Sequence, residues 1–192
     1  MKDEPWYRRM MQGGGGLVAA PLRGVLRAAS LGYGLAVKRR NAYFDAPRHR
    51  TTLPVPVISV GNLTVGGTGK TPMVIDLIER LDAMGRSPAV VARGYQGAEG
   101  EANDEQRLIQ ARCPGVIYVA DADRVAAATE AMTRLGADVV VLDDGFQHRR
   151  LSRDLDLVLI DATCPFGYGH LLPRGLLREP LTSLKRADAV VM

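Results

Sequence analysis

Val55–Thr71 reads VPVISVGNLTVGGTGKT, and this stretch decides the fold. The apolar run Val55–Val60 predicts a strand that breaks into a turn carrying Gly66, Gly67 and Gly69. Lys70 and Thr71 follow, and a helical pattern begins with Pro72 in its first turn. Strand, glycine turn and helix N-terminus in that order make a phosphate cradle. Glycines let backbone N–H groups close around an anion, and the positive end of the helix dipole faces it. In that reading Thr64, Val65, Gly66, Gly67, Thr68 and Gly69 form the loop. Lys70 reaches the β- and γ-phosphates, and the Thr71 hydroxyl holds Mg²⁺. The pattern G-x-x-x-x-G-K-[ST] asks for glycine at position 64, where this chain has Thr64. An ordinary glycine-rich connection is the alternative reading.

Working outward, apolar strands alternate with helical patterns. Val74, Leu77, Ile78, Leu81 and Met84 mark the expected buried face of the first helix, and Gly85 its stop. Strands are predicted at Pro88–Ala92, Val116–Ala120, Asp138–Leu142, Leu155–Ile160 and Ala187–Met192. A polar loop runs to about Asn103, a helix carries Leu108 and Ile109, and another covers Ala122–Leu135. A Gly/Pro-rich loop spans Pro165–Pro180. Continuous apolar strands alternating with helices imply an α/β, P-loop NTPase-like fold, a mainly parallel sheet with helices on both faces. Ligands in such sheets sit at the carboxyl ends of the strands, where Arg93, Asp143, Asp144 and Asp161 fall.

At 192 residues one domain is the default, and 46% hydrophobic with 24% charged residues lies in the globular range. Charge is uneven: residues 1–50 hold ten Lys/Arg against three Asp/Glu, and the remainder fifteen against eighteen. The basic character belongs to the N-terminal segment, and no nucleic-acid partner is expected. Cys113 and Cys164 form no motif, which suits a reducing setting. Residues 1–50 divide as a loose leader and an amphipathic helix; residues 51–192 form the P-loop lobe. In the helix, Leu17–Arg40, the residues Val18, Leu22, Val25, Leu26, Ala29, Tyr33 and Ala36 share one side. Arg23, Arg27, Ser30, Gly34 and Lys38 share the other. Such a helix can lie on an anionic membrane surface or pack its apolar face on the domain. The chain ends inside a predicted strand, so a truncated chain is the expectation.

Val139–Asp144, VVVLDD, closes an apolar run on two carboxylates. In a P-loop protein such a strand lies beside the phosphate loop and its aspartate holds Mg²⁺, directly or through water. Gly145-Phe146-Gln147-His148 then puts a polar pair where a γ-phosphate would be. His148 either hydrogen-bonds phosphate or orders the loop.

Four segments in sequence order, GNLTVGGTGKTP, ARGY, VLDDGFQHRRLSRDLDLVLIDA and LLPRGLLREPL, resemble the tetraacyldisaccharide 4′-kinase family, the lipid A kinases of Gram-negative bacteria. The likeness runs from about Pro54 to Met192 and extends loosely over the N-terminal helix. It implies ATP and Mg²⁺ as cofactors and phosphoryl transfer to the 4′-hydroxyl of a lipid disaccharide 1-phosphate. It also implies a peripheral place on the cytoplasmic face of the inner membrane. By position it implies an ATP loop at Thr64–Thr71, a Mg²⁺ site at Asp143 and Asp144, and phosphate or substrate contact at Arg93. Asp104 matches an aspartate that orients a histidine base, within Asn103-Asp104-Glu105-Gln106 where the family has Gly-Asp-Glu-Pro; a helix-surface acid is the other reading. Arg178 and Glu179 fall in the LREP motif, pairing with each other or with a phosphate. Tyr168, Arg174 and Leu176 stand where the family often has Asn, Ala and Pro. Family members continue into a second lobe that supplies the histidine, and none of His49, His148 and His170 matches it. The chain alone is therefore expected to bind nucleotide and transfer phosphate poorly. Competing readings are a membrane-associated ATPase switch, which usually has lysine where Val65 stands, a metal-insertion GTPase, and a nucleotide-binding fragment without turnover.

Overall fold

The computed structural model describes residues 6–11, 14, 16–94 and 104–192. Tyr95, the polar loop to Asn103, most of the leader and the side chain of Val18 lie outside the described residues. Among the described residues six strands form one parallel sheet: β1 (Val57–Asn62), β2 (Pro88–Ala92), β3 (Ile117–Ala120), β4 (Val139–Asp143), β5 (Leu155–Leu159) and β6 (Ala189–Val191). Their spatial order is β3-β2-β4-β1-β5-β6. Each strand lies within two residues of its predicted span. The acid-ended strand β4 pairs directly with β1, as a P-loop sheet requires.

The helices are α1 (Trp6–Met11), α2 (Gly16–Asp45), α3 (Lys70–Ala83), α4 (Asp104–Arg112) and α5 (Arg124–Thr133). Alternate strand residues face two apolar layers. Val60, Val90 and Val141 meet Val74, Ile75 and Ile78 of α3 and Ile109 of α4. Val91, Val140 and Leu142 meet Ala127 and Ala128 of α5 on the opposite face. Strands apolar on both sides bury both sides, which is why β2 and β4 are buried at every position. Gly85 sits at φ 73 just past α3, a left-handed stop that glycine adopts without strain. Met84 and Leu108 depart from expectation, since both are exposed while their neighbours Leu81 and Ile109 pack inward.

The largest correction concerns α2. Its docked side carries Ala19, Ser30, Tyr33, Gly34, Val37 and Asn41, which fall on one face of the helix. Ser30 donates to the Leu171 carbonyl at 2.9 Å and accepts the Arg174 N–H. Leu22, Val25, Leu31 and Leu35 are left outward, Leu31 at 72% exposure. Small and polar residues dock because the loop beneath offers carbonyls and a close approach. A Cβ at Gly34 would stand 2.9 Å from Leu171 Cδ1. Among the described residues no helix is long and apolar enough to cross a membrane.

Candidate functional site: a cavity at the strand ends

The glycine turn between β1 and α3 is open on its inner side. Gly66 takes φ 121 and Gly69 φ 79, and a Cβ at Gly66 or Gly67 would meet nothing within 4 Å. The glycines therefore leave room for a ligand and not for neighbouring protein. α3 begins at Lys70 with no side chain capping it, so its first N–H groups remain available as donors. Pro72, in that first turn, has no N–H to leave unsatisfied. Asn62, fully buried at the end of β1, donates to the Thr68 hydroxyl at 3.0 Å and so braces the turn from below.

These groups line a cavity of about 370 Å³. One wall is Gly66–Thr71; facing it are Asp143 and Asp144 from the end of β4, Arg93 from beyond β2, Glu105 from α4, and Arg178. Lys70 Nζ lies 3.5 Å from Asp144. Arg178 donates to both Asp144 oxygens, at 3.0 and 2.8 Å, and to Gln147 at 3.2 Å. Gln147 in turn donates to the Asn62 carbonyl at 2.8 Å. Asp144 holds φ 52, a conformation unusual for a residue with a side chain and typical of sites where function sets the backbone.

The two carboxylates are electrostatically distinct. Burial raises Asp143 to about 6, with Glu105 and Asp144 adding to the rise and Lys70 opposing it. Burial also pushes Asp144 upward, but its bonds to Arg178 and the nearby Lys70 outweigh that and hold it below the ordinary range. Asp144 is thus a fixed anion, whereas Asp143 is a buried oxygen donor short of positive charge. A hard divalent cation beside Asp143 would supply that charge. Among the described residues no three acidic, histidine or cysteine side chains gather into a ready cation cage. Mg²⁺ takes one or two carboxylates and completes its shell with water and phosphate, a demand that the adjacent Asp143 and Asp144 suit. Asp143, Asp144 and the Thr71 hydroxyl are the groups that would hold it.

Several expectations change here. Thr64 and Val65 do not line this cavity. They line a second one, about 360 Å³, on the far side of the glycine turn with Asp161, Thr163 and Tyr168. Thr64 is buried and pairs with Leu177 in an isolated antiparallel bridge. His148 is not among the cavity residues. The turn sends it the other way, toward Arg124 and Arg153; burial first, then those cations, lower it to about 4. Gln147 does not line the cavity either, but it accepts from Arg178, which does. Asp104 is exposed at the start of α4 and lines neither cavity; the adjoining Glu105 does line the first. Arg178 and Glu179 do not pair with each other. Arg178 turns to Asp144, while the fully buried Glu179 accepts from Arg40, Asn41 and Arg186. The α2 residues around Glu179 carried no motif signal, while Glu105 and Asn62 sat inside motif segments with no role of their own assigned.

Tyr168, at φ 63, adopts a left-handed conformation that asparagine tolerates better than tyrosine. The asparagine that the resemblance brings to this position has that physical reason.

A family model described as tetraacyldisaccharide-1-P 4′-kinase matches residues 22–192. A tetraacyldisaccharide 4′-kinase of Syntrophus aciditrophicus is 46% identical over 191 residues, covering 90% of this chain and 51% of that protein. One of Geobacter metallireducens is 48% identical over 185 residues, covering 87% and 55%. A crystal structure of the Aquifex aeolicus protein of this family, in complex with ATP, superposes with a TM-score of 0.77 at 36% identity, covering 88% of this chain and 58% of that one. The chain spans about half the length of the curated relatives it matches.

Proposed function

The chain belongs to the tetraacyldisaccharide-1-P 4′-kinase family, and on that premise we propose that it binds Mg·ATP in the 370 Å³ cavity for phosphoryl transfer to the 4′-hydroxyl of a lipid disaccharide 1-phosphate. The observation that carries this reading is the convergence of the glycine turn, Lys70, Asp143, Asp144 and Arg178 on one space. Phosphoryl transfer asks little covalent chemistry of a protein and much positioning. The turn N–H groups and Lys70 hold the β- and γ-phosphates. Thr71, Asp143 and Asp144 would hold Mg²⁺, which would offset charge developing at the phosphates. Arg93 and Arg178 add positive charge to the cavity lining. Asp104 is the residue that family resemblance puts forward to orient a base, and Glu105 is the acid that faces the cavity.

The relatives, tetraacyldisaccharide 4′-kinases, and the ATP of the Aquifex aeolicus structure favour this reading over the ATPase switch and the GTPase. The outward stripe of α2, Leu22, Val25, Leu31 and Leu35 flanked by exposed Arg27, Lys38 and Arg39, supports peripheral attachment to an anionic membrane surface. Incubation with γ-labelled ATP, Mg²⁺ and the disaccharide 1-phosphate tests the activity. Label in a bisphosphate product is expected of the kinase. Bound nucleotide with no transfer would confine this chain to nucleotide binding.

A further inference from the structure

The segment Leu176–Glu179 is held from two sides. On the sheet side the Val65 N–H donates to the Leu176 carbonyl at 2.8 Å, and the Arg178 N–H to the Leu63 carbonyl at 2.7 Å. On the other side lies α2. The Tyr33 hydroxyl donates to the Arg178 carbonyl at 2.9 Å. Arg40 and Asn41 reach Glu179 at 3.0 and 2.9 Å, and Arg186 completes the cage at 2.9 Å. Glu179 is completely buried. Burial pushes its carboxyl upward, but Arg186 and the surrounding donors overcome this and keep it ionised below its ordinary range. A buried carboxylate is costly without its partners, so the α2 contacts fix where this segment lies.

The next residue toward the cavity is Arg178, whose guanidinium grips Asp144 and Gln147. Its backbone carbonyl belongs to α2 and its side chain to the phosphate site. We propose that α2 is a positioning element of that site: Tyr33, with Arg40 and Asn41 on Glu179, sets the backbone from which Arg178 reaches Asp144. Nucleotide affinity then depends on how α2 is seated, although no α2 residue lines the cavity. The inference rests on the phosphate reading above and adds Tyr33 and Arg40 as positioning residues.

Titration of the chain with a fluorescent ATP analogue and Mg²⁺ tests it. Tyr33→Phe removes one hydroxyl and Arg40→Gln one charge. Each is expected to weaken binding about three- to tenfold, the reach of one hydrogen bond. Arg40→Lys should restore part of the loss. In an Arg178→Ala background the same changes should move affinity less than about twofold, because the route through Arg178 is gone. Circular dichroism and melting confirm that each variant folds, and the conservative Tyr33→Phe keeps the test open if Arg40→Gln does not. Unchanged affinity in both single variants, or an equal loss with and without Arg178, would overturn the positioning role alone. Unchanged affinity in Lys70→Ala would instead remove the phosphate reading, and this inference with it.

Discussion

The Lys70 ammonium lies 3.5 Å from the Asp144 carboxylate. Arg178 approaches the same carboxylate at 2.8 Å, so one anion engages two cations across the mouth of the glycine turn. In the proposed reading an incoming phosphate would compete with Asp144 for both, and until then the carboxylate keeps the two cations oriented toward the cavity.

Replacement of Lys70 by Ala is expected to weaken Mg·ATP binding about 100-fold while leaving the fold intact. The loss is that of a charge-assisted phosphate contact in a partly enclosed site. Asp144 keeps Arg178 in the variant and is not left unpaired. Calorimetric titration with circular dichroism as the folding control measures both halves; full affinity would show that the phosphates lie elsewhere.

Gly61→Ala should destabilise the protein by about 1–3 kcal/mol, a fall in Tm of roughly 3–10 °C. A Cβ there would stand 2.5 Å from Phe146 Cβ and 2.7 Å from its backbone nitrogen. The displaced backbone is the turn that follows Asp143 and Asp144, so nucleotide affinity should fall along with the melting temperature. A melting curve identical to wild type would contradict the close approach of β1 to that turn.

His148 and Asp143 titrate in overlapping windows with opposite signs. The folded pKa of His148, about 4, lies below the ordinary 6.5, so the unfolded chain binds the proton first. Its contribution is complete above pH 6.5 and lost as pH falls toward 4. Asp143, raised from 3.8 to about 6, does the reverse: stability declines as pH rises through that window. His148→Asn should flatten the acid limb of the Tm–pH profile by on the order of 2 kcal/mol, and Asp143→Asn should steepen it. Nucleotide affinity at pH 7.5 should survive His148→Asn within about twofold. A larger loss would return His148 to the phosphate site.

Vesicle co-sedimentation separates the two sides of α2. Arg27, Lys38 and Arg39 are exposed, and converting each to Gln should weaken binding to anionic vesicles by about 1 kcal/mol per charge. Leu31→Ser and Leu35→Ser should weaken binding to neutral vesicles as well. Equal sedimentation of wild type and all variants would rule out α2 as the attachment surface.

Much of this architecture was legible because the strands are buried on both faces. Runs such as Val139–Leu142 need no partner information to be recognised, and the acids that end them mark the ligand side of the sheet. The glycine turn was legible for a related reason: Lys70 and Thr71 follow it in an order with one main use. Side-chain direction was not legible. Gln147 and His148 are adjacent in the turn after β4, and only its path sends one to Arg178 and the other to Arg124. Asp104 and Glu105 differ by one step of about 100° on a helix, enough to move the cavity acid by one residue. The docked side of α2 was not legible because periodicity distinguishes two faces without saying what meets protein, and the docked residues come from both, Tyr33 from one and Ser30 and Gly34 from the other. Its contacts are polar and reach over a hundred residues along the chain, from Tyr33 to Arg178 and from Asn41 to Glu179.

The seating of α2 separates two properties that most surface helices tie together. Ser30, Tyr33 and Asn41 make the attachment, so Leu31 and Leu35 contribute no core volume. Polar replacements there would improve colloidal behaviour during purification without opening a cavity in the body. Bulk at Gly34 acts on the docked side instead, because a Cβ there meets the Leu171 Cδ1 methyl, which must shift, while the outward surface chemistry is unchanged. Handling properties and seating can therefore be engineered independently on one helix.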